Sequence, residues 1–205
     1  MNSAGKAAFA CRHIAVAAAL LLLTACAGDP PRPTASAAVS FEARPPIRLA
    51  VAFISVDSFF TPPGRAPHVE HLHDVTPETV ARSWARARLV STGGPGTAAL
   101  AILEGSVVSE DLKKKGGLTG IFGDQQDVKL KARLKARLTV ERPGAGGGAA
   151  TWTAEVDAYA DRTVLESASL NERDEAYAKL MQSLAAEFDR SLTAEIQRSM
   201  SPALR

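Results

Sequence analysis

Residues 128–140 read VKLKARLKARLTV and residues 150–161 read ATWTAEVDAYAD. In the first stretch Val128, Leu130, Ala132, Leu134, Ala136, Leu138 and Val140 alternate with Lys129, Lys131, Arg133, Lys135, Arg137 and Thr139. Side chains on a strand point to opposite faces in turn, so a strand here buries one face and shows five cations on the other. In the second stretch Ala150, Trp152, Ala154, Val156, Ala158 and Ala160 share one face, and Thr151, Thr153, Glu155, Asp157, Tyr159 and Asp161 share the other. The run PGAGGG between the stretches is a turn, which makes the pair a hairpin with one dry and one charged face. Pairing Val140 with Ala150 sets Lys135 opposite Glu155, Arg133 opposite Asp157 and Lys129 opposite Asp161. A slip of two residues keeps the parity of the faces and much of this complementarity, so parity is better determined than register. The basic stripe is thus largely answered from within the domain.

Upstream of the hairpin, residues 47–56 read IRLAVAFISV, β-branched and apolar on both alternating faces, as a largely buried strand is. An 18-residue connection, residues 58–75, carries Pro62, Pro63, Gly64 and Pro67. A loop of that length in a compact domain is usually functional or mobile. Thr76-Pro77-Glu78 then opens a helix: Thr76 caps, Pro77 suits the first helical position and Glu78 complements the positive end of the dipole. Val80, Trp84 and Ala87 form its apolar face, Arg82 and Arg86 lie away from it, and Gly93-Gly94 are expected to stop it. Trp84, an aromatic at helical spacing, reads as core. Residues 98–108 read as a second strand. A last helix begins near Ser169, with Glu172, Asp174 and Glu175 in its first turns and an apolar stripe from Ala176 and Tyr177 through Leu180, Met181, Leu184, Phe188, Leu192 and Ile196 to Met200. The order β-α-β-β-β-α gives an α+β two-layer sandwich: a mixed four-stranded sheet with two helices on one face.

The N-terminus has the parts of a secretory signal: Lys6, Arg12 and His13, the apolar run from Ile14 to Leu23, then small residues. The run is shorter than the ~20 apolar residues that span a bilayer. Leu23-Thr24-Ala25-Cys26 resembles the lipobox of bacterial lipoprotein signals. The resemblance implies cleavage before Cys26 and acylation of its thiol and new amino group, and chains contributing about 0.8 kcal/mol per buried methylene make a firm anchor. Ala27 follows where lipoproteins kept at the inner membrane often carry Asp, which points to the periplasmic face of the outer membrane. Removing residues 1–25 from the 205 leaves 180, which divide into a Pro/Ala-rich tether over 26–46 and a single domain over 47–201. Lys6 and Arg12 leave with the signal, so the 24 basic residues fall to 22 and match the 22 acidic ones. A nucleic-acid partner loses its main electrostatic support. Cys11 is removed and Cys26 acylated, so no disulfide forms within the mature chain.

Two loops hold the candidate chemistry. HVEHLHD gathers His68, His71 and His73 with Glu70 and Asp74, and three imidazoles are the ligand set of some catalytic zinc sites. The spacing is not the helical i, i+4 of a zincin, and the alternative reading is a proton-sensitive surface loop. Lys113, Lys114 and Lys115 lead into GGLTGIFG, where Leu118, Ile121 and Phe122 sit among glycines and either fold back on the domain or meet a partner. No G-x-S-x-G, S-x-x-K, P-loop or dinucleotide fingerprint occurs, and no cofactor is implied. The order of elements with the lipobox resembles envelope lipoproteins that serve as auxiliary components of ABC-type transport systems, including the lipopolysaccharide-assembly lipoproteins. That resemblance implies a non-catalytic accessory or assembly factor, held in the bilayer through Cys26, that binds an envelope protein or lipid. The rival reading is a periplasmic metal-binding protein or zinc hydrolase using the histidine loop.

Overall fold

Strands β5 (Asp127–Pro143) and β6 (Ala149–Leu165) form the hairpin, and β4 (Thr97–Leu112) and β2 (Phe53–Ser58) complete a four-stranded sheet in the order β2-β4-β5-β6. A computed structural model of the chain describes residues 39–112, 127–144 and 147–204. Cys26, Lys113, Lys114, Lys115, Leu118, Ile121 and Phe122 lie outside the described residues. The β4-β5 and β5-β6 pairs are antiparallel and the β2-β4 pair is parallel, so the sheet is mixed. Helix α1 (Pro77–Arg88) packs mainly on β4, and α2 (Leu170–Ser199) lies mainly along β6. The fold is the α+β two-layer sandwich expected from the pattern of residues.

Parity holds along the hairpin: Ala132, Leu134, Ala136, Leu138 and Val140 of β5 are buried with Ala154, Val156 and Ala158 of β6. The register is two residues from the expected one, since Val140 faces Trp152 and Lys135 faces Asp157. The expected ion pairs nevertheless form, as diagonals: Lys135–Glu155 at 3.0 Å, Arg133–Asp157 at 2.7 Å and Lys129–Asp161 at 2.9 Å. Long side chains reach the diagonal neighbour about 7–8 Å away, so charge pattern alone did not fix the register. Arg133 also meets Glu104 at 2.8 Å and Lys131 meets Glu110 at 2.6 Å, so acids from β4 and β6 flank the cations of β5. These groups are partly exposed, and each pair contributes about 0.2–1 kcal/mol.

The stretch 47–56 is not one buried strand. Ile47–Leu49 forms β1, which pairs in parallel with β3 (Leu89–Ser91) as a separate two-stranded sheet, and the chain turns at Ala50 and Val51 before β2 begins. The Val51 N–H bonds back to the Leu49 carbonyl at 2.9 Å, and Leu49 also bridges to Leu204. The stretch is apolar on both faces because its halves serve two sheets. β2 is an edge strand and Phe53 is 61% exposed. The same pairing corrects the end of α1. The helix stops at Arg88, because Leu89–Ser91 leaves to pair with β1, and Gly93 and Gly94 make the turn that follows at positive φ.

Both helices start as read from the sequence. Thr76 accepts from the Thr79 N–H and Ser169 from the Glu172 N–H, each within a reciprocal capping box. At 30 residues and ~1.5 Å per residue, α2 is about 45 Å long. Tyr177, Leu180, Met181, Leu184, Phe188, Leu192, Ile196 and Met200 are all buried, as the stripe predicts. Trp84 is core, and it meets Phe188 edge to face at 5.5 Å.

Between the helices lies a buried polar node. Asp189 accepts from Trp84 Nε1 at 2.8 Å and from Arg88 Nε at 2.9 Å. Arg88 also donates to Thr193 Oγ1 at 2.9 Å and to the Pro45 carbonyl, which ties the chain entering β1 to both helices. Arg88 and Asp189 are each about one-twentieth exposed or less.

Candidate functional site

The long connection carrying the histidines is built onto β4. Beyond Ser58 the edge of β4 no longer has β2 beside it, and residues 67–70 take over. The Val69 N–H donates to the Val107 carbonyl at 2.9 Å and the Ser109 N–H to the Pro67 carbonyl at 2.8 Å. The segment continues as a short 3-10 helix, Glu70–Leu72. Glu70 is wholly buried, and its Oε2 accepts the Val107 N–H at 3.0 Å. His68 Nδ1 lies 3.5 Å from Glu70 Oε1, within ion-pair reach. The edge of β4 is thereby covered, and the covering strap is fixed by one carboxylate.

The three histidines part company. His68 faces Glu70, and His71 is exposed. His73 stacks on the ring of Tyr177 at 3.5 Å between centroids and 15° between planes. Among the described residues no three His, Cys, Asp or Glu side chains gather as a metal ligand set. Burial pushes the His73 imidazole below its ordinary value of 6.5, partly offset by the charges of Asp174 and Asp74.

Where the strap, β4, the far ends of β5 and β6 and the first turns of α2 meet, they enclose a cleft of about 330 Å3. Its apolar walls are Val69, Leu72, Val128, Leu130, Val164 and Leu170, and Leu165 also lines it. His73, Ser109, Arg173, Asp174 and Tyr177 supply the polar groups. Three of its leucines are open to water: Leu72 is 67%, Leu165 51% and Leu170 80% exposed. Tyr177 is 3% exposed, and its hydroxyl has no hydrogen-bond partner among the described residues. Burial and the Glu70 charge raise the pKa of that hydroxyl, so it remains a proton donor. Arg173 donates to the Ala168 carbonyl at 3.1 Å and to the Glu166 carbonyl at 2.5 Å, two neutral acceptors. An apolar space with a few polar groups converging at one side is the usual form of a small-molecule site.

Sequence reasoning placed Tyr177 in the core stripe and did not single out Leu165, Leu170 or Arg173. A signal was present. Leu165 is apolar but outside the alternation of β6, and Leu170 extends the face of the α2 stripe seven residues before Tyr177.

The titrating groups give one prediction. Hydrogen bonds from Lys135 and Arg137 lower the pKa of Glu155, and one from Arg133 lowers that of Asp157, from ordinary values of 4.5 and 3.8. A group whose folded pKa is depressed stabilises the fold above its unfolded pKa, and that contribution is lost as pH falls through the folded value. The lowered His73 adds the same sign at higher pH. The melting temperature is therefore expected to fall in two stages on acidification, first below about pH 6.5 and again below about pH 4.5. In His73→Phe, which keeps a stacked ring, the first stage should shrink; an unchanged first stage would assign it elsewhere.

No family model and no curated protein matches the chain. Among solved structures it is similar to a minor lipoprotein from Acinetobacter baumannii, with 16% identity over 74% of this chain and 96% of that one and a TM-score of 0.37. It is also similar to the rare lipoprotein B from Shewanella oneidensis, with 12% identity over 72% of this chain and 98% of that one and a TM-score of 0.38. Both likenesses are faint, and the functional reading rests on this chain's own residues.

Proposed function

We propose that this protein is an acyl-anchored, non-catalytic accessory or assembly factor of the bacterial cell envelope, held at the periplasmic face of the outer membrane and acting by binding a protein or lipid partner. The observation that carries the reading is Leu23-Thr24-Ala25-Cys26, placed after an apolar run and before a proline-rich tether and one folded domain. The folded domain takes in more of the stretch after Cys26 than its composition suggests: Phe41 is 5% exposed within the core, and the Pro45 carbonyl accepts from Arg88. Among the described residues no helix is long and apolar enough to cross a membrane, so on this reading attachment falls to Cys26. Asp189 is taken up by bonds from Trp84 and Arg88, as suits a structural carboxylate. Lys113, Lys114, Lys115, Leu118, Ile121 and Phe122, in the segment joining β4 to β5, are the proposed contacts to the partner.

The test compares cells lacking the protein, cells restored with the natural chain and cells restored with Cys26→Ala. The expected result is increased uptake of an apolar dye in the deletion, corrected by the natural chain and not by Cys26→Ala, with only the natural chain in the outer-membrane fraction. Unchanged permeability in the deletion, or Cys26→Ala fractionating and functioning as the natural chain does, would contradict the reading.

A further inference from the structure

We infer that the cleft at the start of α2 binds a long-chain fatty acid, its hydrocarbon against the walls built by the strap, β5 and β6 and its carboxylate between Arg173 and Tyr177. The inference deepens the proposed function, on which it rests for the source of the ligand. Three observations converge on it. The walls are apolar side chains drawn from the strap, β5, β6 and α2, and about 330 Å3 falls at the small end of the ~300–1,000 Å3 of small-molecule sites. Leu72, Leu165 and Leu170 keep apolar surface in water around the same space, which a chain laid between them would cover. At about 25 cal/mol per Å2, such coverage favours hydrocarbon over any polar occupant.

The polar groups choose the headgroup. Arg173 and Tyr177 are four residues apart on α2, so they lie on one face with their Cβ atoms about 5–6 Å apart. The exposed guanidinium is bonded to two carbonyls, and among the described residues no carboxylate pairs with it. The Tyr177 hydroxyl is buried and, among the described residues, has no hydrogen-bond partner. A buried donor without a partner costs about 1–3 kcal/mol, and a carboxylate oxygen would satisfy it while completing a charge-assisted bond to Arg173. The positive end of the α2 dipole adds to the attraction. Two acids stand near: Asp174 lines the cleft and its charge acts on His73, and the Glu70 charge acts on the Tyr177 hydroxyl while its Oε2 is held by the Val107 N–H. Neither cancels Arg173 through a direct contact.

The probe is palmitic acid bearing a photoactivatable diazirine near the middle of its chain, with the full acylated protein held in phosphatidylcholine vesicles. After illumination, peptide mapping should place the label on the cleft strands, at Leu130 or Val164. Leu72→Glu combined with Leu170→Glu, two exposed positions whose change leaves the core intact, should reduce that labelling at least tenfold. Arg173→Gln should reduce it several-fold for the acid and leave labelling by the matching alcohol unchanged. Vesicle phospholipid is in large excess, so its acyl chains occupying the cleft would abolish specific labelling and overturn the inference. Label spread over the surface, or labelling indifferent to all three substitutions, would overturn it equally. The anchor is read separately by the mass of the mature chain, so failure at the cleft leaves the anchored-factor reading standing.

Discussion

Replacing Asp189 with Ala is expected to destabilise the domain by about 3–5 kcal/mol, as breaking a buried ion pair does. Asp189 is the carboxylate between the two helices, and its Oδ1 takes bonds from Trp84 Nε1 at 2.8 Å and Arg88 Nε at 2.9 Å. Alanine leaves a guanidinium 3% exposed with no opposing charge, and an indole N–H with no acceptor. The remaining bonds of Arg88, to Thr193 and the Pro45 carbonyl, are to neutral groups and do not balance the charge. Urea denaturation of the natural and variant chains measures the loss. The mechanism makes a second claim that simple lost packing would not. Changing both Asp189 and Arg88 to Leu should recover more than half of it, because a buried ion pair replaced as a whole costs little. A double variant as unstable as Asp189→Ala would contradict the uncompensated-charge account.

Phe188→Ala is expected to cost about 3–5 kcal/mol by a different route. The ring is fully buried at the centre of the α2 stripe and contacts Trp84 edge to face. Alanine removes its transfer free energy and leaves a cavity that two helices braced by Asp189 cannot close. At about 2–4 °C per kcal/mol for a domain of this size, the melting temperature should fall by roughly 10 °C. Phe188→Leu, which keeps most of the volume, should lose less than half as much. Equal losses in the two variants would place the effect outside cavity formation.

The two halves of the fold differ in how plainly they are written in the sequence. The β5-β6 hairpin declares itself because every second residue over 13 positions is apolar, and no other element produces that period. Its ion pairs were also legible while its register was not, since Lys and Arg reach diagonal acids as well as opposite ones. The split of residues 47–56 was hidden because a strand buried on both faces and two short strands in different sheets leave the same apolar run. Only the pairing of Ile47–Leu49 with Leu89–Ser91, about forty residues away, separates them. Asp189 carried a usable signal: four residues after Ala185 and three before Leu192, it stands inside the apolar stripe, where a carboxylate needs a buried cation. Arg88, one turn after Trp84, is that cation. Glu70 carried none, because its burial depends on the loop folding back over the edge of β4, a long-range event. The cleft was invisible for the same reason, its walls coming from segments more than a hundred residues apart in the chain, as Val69 and Tyr177 are.

The most direct test of the account is the intact mass of the protein extracted from its own membranes, with its N-terminal peptide sequenced. The expected result is a chain that begins at Cys26 and carries the added mass of acyl groups on that residue. A chain retaining residues 1–25, or one with an unmodified Cys26, would contradict it.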